Sequence, residues 1–389
     1  MQGAEVVIVG GGIVGSAAAM FLAEAGVDVM VVERGRVSGE ASGVNAGMID
    51  APGDGGVSEL DGLLKMGSLE IFRSMHHDRG LDIGFQQNGQ LVLIASEAEW
   101  EWASSLPRGS GVELLDREAL TAIEPAAGPR AVGALYSAEA GCAEPEWSTV
   151  AFADAARTAG ARIVTAAEVT AVTASTVGYR LETDAGRVEA DALVVAAGAW
   201  CRGLGSQLGL DIPVSPVRGQ MWATAPLPPS LQGTVAGLES AHHWSSHETH
   251  PPQVSHVDGV RVTRHLYGRQ RANGEVIFGG DRVPSDVRDV DADGIASNHD
   301  HASQLLPFLR GHRPVRSWSG LMPFSDDGLP LIGPITERPG VFVGAGLASS
   351  GFGRGPMTGR LVADAVLGTA LPEAAGAAHP AGRVGEISR

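Results

Sequence analysis

The chain opens on a short apolar, β-branched run, Val6-Val7-Ile8-Val9, which predicts a buried parallel strand. Gly10-Gly11-Gly12-Ile13-Val14-Gly15 follows without a gap. The alanine-rich stretch from Ser16 to Ala25 predicts a helix, and Gly26 stops it. Val27-Asp28-Val29-Met30-Val31-Val32 predicts a second strand, ending at Glu33. Leu60, Leu63, Leu64, Leu69 and Phe72 give helical spacing to Leu60–His77. Gly89 to Ile94 predicts a strand, Glu97 to Ser105 a short helix, and Thr149 to Ala159 another helix. Ala161 to Val164, Val169 to Thr173 and Tyr179 to Thr183 then read as strands, with a turn at Asp184-Ala185-Gly186. Asp191 to Gly198 is a buried strand running into a glycine turn. From Val217 to Phe278 the pattern changes to hairpins, with Val260–Tyr267 and Glu275–Gly279 paired around an Asn273-Gly274 turn. Gly340 to Gly344 predicts a strand, and Pro356 to Leu367 a helix with proline at its first position. Leu371 to Arg389 is rich in Ala, Gly and Pro and predicts a mobile tail.

The first unit carries chemistry. In a G-x-G-x-x-G turn between strand and helix, Gly10 permits the tight turn, Gly12 lets the backbone approach a pyrophosphate, and Gly15 lets helix and strand pack closely. The helix N-terminus adds free N–H groups and a positive partial charge. Glu33 stands where a carboxylate accepts hydrogen bonds from ribose hydroxyls, which favours FAD or NAD over NADP. Strand, turn, helix, strand and acid together separate this unit from an ordinary glycine turn.

Composition narrows the rest. A chain of 389 residues, 44% hydrophobic, suggests two domains or one large domain with a second inserted. A net charge of −17 argues against nucleic-acid or anionic-membrane partners. No apolar run is long enough to predict a transmembrane span, and a strand beginning so near the N-terminus leaves no room for a signal peptide, so a cytoplasmic location is expected. Cys142 and Cys201 form no metal motif and no disulfide framework, and read as ordinary thiols in a reducing compartment.

The first motif extends through Ala19, Leu22, Ala23, Gly26, Val29 and Val31 to Glu33 and resembles the FAD-binding signature of the glycine oxidase, D-amino-acid oxidase and sarcosine oxidase family. Four more segments agree with that family in chain order. Ala41-Ser42-Gly43-Val44-Asn45-Ala46-Gly47 resembles its phosphate and flavin loop, and Ala190 to Trp200 its second nucleotide segment. Pro216-Val217-Arg218-Gly219-Gln220 resembles the crossing into the substrate domain. Asp327 to Gly333 and Gly351-Phe352 through Pro356 resemble the return to the flavin. The resemblance implies an α/β fold: a doubly wound FAD-binding domain beside an α+β substrate domain with an antiparallel sheet. The expected division is FAD domain 1–84, 146–215 and 326–370, substrate domain 85–145 and 216–325, and tail 371–389.

The implied activity is oxidation of the C–N bond of a small amine or amino acid to an imine by hydride transfer to flavin N5, followed by hydrolysis. Oxygen is the implied acceptor; the alternative is a dehydrogenase or electron-relay subunit serving a partner protein. The implied FAD contacts are Gly10, Gly12, Ile13, Val14, Gly15, Glu33 and Arg34; Ala41, Ser42, Asn45, Ala46, Gly47 and Met48; Val169, Ala197, Gly198 and Trp200; and Gly351, Phe352, Gly353, Arg354 and Gly355. The glycines from Gly351 to Gly355 are expected to present N–H groups to the flavin ahead of a helix. No residue matches the family's covalent flavin attachment, so the FAD is expected to be non-covalent.

The departures bear on the substrate. Met322 stands where glycine and D-amino-acid oxidases carry an arginine for the substrate carboxylate, and Gly353 where monomeric sarcosine oxidases carry a lysine. Candidate replacements lie on the predicted hairpin: Arg264, Arg269 and Arg271, with Arg269 favoured, and Tyr267 and His265 on the same strand face as Arg269. His242, His243, His247, His250 and His256 surround Trp244. Their spacing allows a metal, but Pro251 and Pro252 argue for a loop, read here as a lid over the substrate with no metal assigned. Asp326 and Asp327 read as turn-forming residues.

Overall fold

The structure is a computed structural model and describes residues 3–50, 58–106, 111–175, 178–239, 255–257, 260–263 and 265–387, with only the backbone of 255–257 and 260–262. The Val6–Val9 run lies at the centre of a mixed sheet. Strand Ala4–Val9 pairs in parallel with Val29–Val32 on one side and Gly186–Val195 on the other. Arg162–Val164 extends one edge in parallel, and Val341–Ala345 the other, with Leu331–Pro334 antiparallel beyond it. A β-meander, Val169–Ser175 and Gly178–Thr183, adds to Gly186–Val195. Continuous apolar strands need cover on both faces. Helices Ile13–Glu24, Glu59–Arg73, Pro145–Thr158 and Gly351–Val366 cover one face around Ile8, Val31, Phe72 and Phe152, while Cys201–Gln207 packs beside Val7, Leu193 and Val343 on the other.

The second sheet runs Arg316–Ser325, Val214–Ala223, Val276–Pro284, Tyr267–Gln270, Thr234–Gly237, Gln90–Ile94, Gly133–Ser137, Val112–Asp116. It is antiparallel except where Thr234–Gly237 lies parallel to Gln90–Ile94. Helix Ala292–Leu305, capped by the Asp291 carboxylate accepting from the Asp293 and Gly294 amides, covers one face through Trp222, Phe278 and Leu305. This is the expected doubly wound α/β layer beside an antiparallel sheet.

Three expectations change. The hairpin strand is Tyr267–Gln270, not Val260–Tyr267; Val260–Val262 pairs with Ser255–Val257 instead. The Asn273-Gly274 turn is present, with Gly274 at φ +87°. The last helix begins at Gly351, so Pro356 lies inside it rather than at its start. Segment 371–389, expected as a mobile tail, folds back over its described length. Ala375, Ala378 and Val384 are buried, Gly385–Glu386 pairs with Leu210–Asp211, and Arg383 binds the Asp327 carboxylate at 2.7 Å. Among the described residues no helix is long and apolar enough to cross a membrane.

Candidate active site

The glycine turn is built as its spacing requires. Gly10 sits at φ +116°, and a Cβ on Gly15 would lie 2.0 Å from the Gly10 carbonyl oxygen. The first helical amide, Ile13, donates to Ser42 Oγ at 3.0 Å, and a Cβ on Gly12 would meet that same oxygen at 3.0 Å. Glu33 closes the turn from the end of the second strand: its carboxylate oxygens accept from the Gly11 amide at 2.7 Å and the Gly35 amide at 2.8 Å. Asn45 shapes the next loop, donating to Ala41 and Ser42 carbonyls at 2.9 and 3.1 Å and accepting from the Gly47 amide at 2.7 Å.

A cavity of about 390 Å³ runs from this turn to the second sheet. Of the expected cofactor residues, Gly10, Gly12, Ile13, Val14, Glu33, Arg34, Ala41, Ser42, Asn45, Val169, Ala197, Gly198, Trp200, Gly351 and Phe352 line it. Arg34 lies 3.6 Å over the Trp200 ring and pairs with Glu40 at 2.6 Å. The first turn of helix Gly351–Val366 reaches the cavity, where its N–H groups lack helical partners.

Gly15, Ala46, Gly47, Met48, Gly353, Arg354 and Gly355 do not line the cavity. They support it. Gly47, at φ +74°, packs against the Ala143 carbonyl, and Gly353 lies against the backbone of Met48. A Cβ on Gly355 would meet Ile13 at 2.5 Å, so this glycine serves helix–helix contact. Arg354 pairs with Asp61.

At the far end Tyr267, Met221 and Met322 line the cavity beside Gly219 and Gly320. Burial pushes the Tyr267 hydroxyl above its ordinary pKa. Arg269, the favoured anchor, is placed elsewhere. Its Nε donates to the Ala46 carbonyl at 2.6 Å, and a terminal nitrogen pairs with Glu144 at 2.9 Å, all in a buried setting. Arg271 takes the other Glu144 oxygen at 2.6 Å. Burial alone would raise the Glu144 carboxyl, but Arg271 and Arg269 hold it below its ordinary value. His265 is buried, its carbonyl accepts from Asn298 Nδ2 at 2.9 Å, and it does not line the cavity. Arg264 and His242, His243, His247 and His250, with Trp244, Pro251 and Pro252, lie outside the described residues, as does the His256 side chain. Asp327 caps its turn by accepting from the Leu329 amide at 3.1 Å, and Asp326 pairs with Arg202 at 2.6 Å. Sequence reasoning missed Met221 and Gly219 as cavity residues. Their signal was the Pro216–Gln220 segment, whose pairing to Arg316–Ser325 only the fold reveals.

A glycine turn at the C-terminal end of parallel strands, a carboxylate one strand further on, and a cavity continuing onto a second sheet define a dinucleotide-dependent oxidoreductase. The chain belongs to the FAD dependent oxidoreductase family, whose model matches residues 5–365, and its cofactor is FAD. It is 30% identical over 377 residues to glycine oxidase of Geobacillus kaustophilus, covering 93% of this chain and 92% of that one. It is 29% identical to the hydrogen cyanide synthase subunit HcnC of Pseudomonas aeruginosa, over 78% of this chain and 69% of that one. The crystal structure of the Geobacillus kaustophilus glycine oxidase superposes with a TM-score of 0.83 at 28% identity, covering 97% and 98% of the two chains.

Proposed function

We propose that this FAD-dependent enzyme oxidises the C–N bond of an amine or amino acid to an imine, which water then hydrolyses, with oxygen as acceptor. The observation that carries the reading is the single cavity joining the Gly10–Gly12 turn to Tyr267 and Met322. The likeness to glycine oxidase supports the substrate class.

Gly10, Gly12 and the Ile13 end of the first helix would hold the pyrophosphate, Glu33 the ribose, and the Ala41–Asn45 loop and Gly351 the remainder. FAD bound there supplies the two-electron acceptor. Gly351 directs the positive end of a sixteen-residue helix at the cavity, which favours negative charge developing there. Met221 and Met322 exclude water from the end where the substrate would sit. Tyr267 stays protonated at neutral pH and can donate or accept at the amine or its acid group. The lining carboxylates among the described residues, Glu33, Glu40 and Glu168, belong to the dinucleotide-binding half. A substrate nitrogen bound neutral, its lone pair driving loss of the α-hydrogen, needs no carboxylate base. Glycine leaves the methionine wall unfilled, so secondary or larger substrates are preferred. A cytoplasmic location is part of the proposal, in keeping with two buried, unpaired cysteines.

The likeness to a hydrogen cyanide synthase subunit supports a second reading, in which electrons pass to a partner protein. The test is an anaerobic screen of amines and of D- and L-amino acids for bleaching of flavin absorbance, then peroxide assay in air. Bleaching by secondary or larger substrates ahead of glycine is expected, with FAD released by acid precipitation. Peroxide supports the oxidase, and its absence with co-purification of a second chain supports the relay. A flavin that no amine or amino acid bleaches overturns both.

A further inference from the structure

The face of the second sheet that bounds the cavity carries a patch of bare backbone. Gly219 on Val214–Ala223 lies directly opposite Gly320 on Arg316–Ser325, and both line the cavity. Strand alternation puts Met322 on the same face, two residues beyond Gly320. Its side chain lies across Gly219: a Cβ there would stand 2.8 Å from the Met322 methyl and 3.3 Å from its sulfur. Beside it, Val44 of the flavin loop sits over Gly320, 2.7 Å from where a Cβ would stand. The Met322 thioether is therefore a partly exposed part of the cavity wall, close to where the flavin loop meets the second sheet. It packs against none of the apolar clusters that the described residues form.

The other described methionines are shielded or placed elsewhere. Met20, Met30 and Met75 are buried in the core around the first sheet. Met221 also lines the cavity, but it is 3% exposed and packed in a cluster with Met48, Tyr267 and Trp318. Met48, Met66 and Met357 are partly exposed and do not line the cavity. Among the described residues, Met322 is thus the one methionine both partly exposed and on the cavity wall.

We propose that Met322 is a sulfoxidation site, oxidised by hydrogen peroxide made in the cavity, and that its sulfoxide weakens binding of substrates with an apolar group. The proposal rests on the C–N oxidation reading with oxygen as acceptor and adds to it a brake set by accumulated turnover. In the step, the thioether sulfur attacks one peroxide oxygen. The S–O bond forms, the O–O bond breaks, and the second oxygen leaves as water with both protons. Sulfur loses two electrons and the peroxide gains them. Susceptibility follows access to the oxidant, and peroxide made in the cavity meets Met322 before Met66 or Met357. The sulfoxide oxygen then stands in a wall shared with Met221, Leu321 and Pro323. Apolar substrate surface laid against it strips that oxygen of water without offering a donor, which costs binding.

The test uses the FAD-loaded enzyme and peptide mapping by mass spectrometry. In the first arm the enzyme turns over in air with excess catalase in the solution. The peptide holding Met322 is expected to gain one oxygen about threefold or more above those holding Met66 and Met357, because catalase removes only peroxide that has left the cavity. In the second arm, peroxide is added to the resting enzyme. Oxidation of Met322 is expected to raise KM for an apolar substrate about fivefold or more, with kcat changed less, and methionine sulfoxide reductases should restore it. Met322→Gln, polar at the same place, should show the raised KM without peroxide. Met322→Leu, of similar volume and without sulfur, should show the same KM before and after peroxide; Met322→Ile serves if the leucine variant does not retain FAD. Met322 left intact by peroxide that oxidises Met66 and Met357 overturns the site, as does a KM unmoved by its oxidation. Equal protection of Met322, Met66 and Met357 by catalase overturns the cavity as the source. The two readings fail separately: turnover without peroxide removes oxygen as acceptor, whereas peroxide produced with Met322 intact removes the sulfoxidation site alone.

Discussion

Arg269 shows how a side chain of the right type, beside the right neighbours, is assigned by its partners. It follows Tyr267 by two residues and shares its strand face, yet the guanidinium ends on the Ala46 carbonyl of the flavin loop and on Glu144, the residue that precedes helix Pro145–Thr158. It ties the flavin loop to the second sheet. Removing one member of a buried pair leaves the other uncompensated, so Arg269→Met is expected to cost about 3 kcal/mol or more. The variant should melt lower and lose FAD more readily, while the ratio of efficiencies between acidic and neutral substrates stays at the native value. A changed ratio with unchanged melting would return Arg269 to substrate binding. Glu144 gives the pH signature of the same link. A carboxyl held below its unfolded value contributes stability that is complete above the ordinary carboxylate range and is lost as the pH falls through its folded value. The gap in melting temperature between the native chain and Glu144→Gln should therefore be widest at neutral pH and close below about pH 4.

At the scale of elements, the first strand, turn and helix form one device, and their glycines do different work. Gly15 brings helix and turn together, where a Cβ would lie 2.0 Å from a carbonyl oxygen. Gly12 faces the cavity and the Ser42 hydroxyl that caps the Ile13 amide. A side chain at Gly12 occupies the pyrophosphate's place and crowds Ser42, without entering the core. Gly12→Val should thus yield a folded but colourless protein, with helical circular dichroism retained and FAD absent from the denatured supernatant; a yellow Gly12→Val protein would place the cofactor elsewhere. The last helix is similar. Gly355 and Gly359 let it cross the first helix closely, with a Cβ on either meeting Ile13 or the Val14 carbonyl within 2.7 Å. Its glycines were expected to face the flavin, but of Gly351, Gly353 and Gly355 only Gly351 lines the cavity.

Across the whole molecule, the two sheets are held by contacts between distant segments. Trp318 on the second sheet donates its indole N–H to the Val44 carbonyl of the flavin loop at 2.7 Å, and Arg288 reaches Glu40 at 2.9 Å. The C-terminal segment packs on the first sheet and its helices. Ala375, Ala378 and Val384 are buried, and Arg383 gathers Asp327 and the Leu329 and Pro330 carbonyls. Truncation after Leu371 should lower stability by about 3 kcal/mol, mostly from the exposed apolar surface, read as a lower thermal midpoint. A midpoint equal to the native one would show the segment to be dispensable.

The sequence by itself determined the dinucleotide unit, because its parts are local. A β-branched run, a glycine turn, an alanine-rich helix and an acid within thirty-odd residues leave one way to satisfy burial and backbone hydrogen bonds. Most cavity residues at that end were legible for the same reason. The substrate end was not. Gln90–Ile94 pairs in parallel with Thr234–Gly237, and Gly219 stands between Gly320 and Arg282. No periodicity along the chain encodes such pairings between residues 63 to 144 positions apart, since strand register is set by the partner strand and by bulges such as that at Gln220/Met221. The tertiary structure therefore decided which side chains face the cavity, because a one-residue shift sends the next side chain to the opposite face. Asp281 and Arg282 are adjacent in sequence, and the pleat of one strand turns them to opposite faces, Asp281 toward the covering helix.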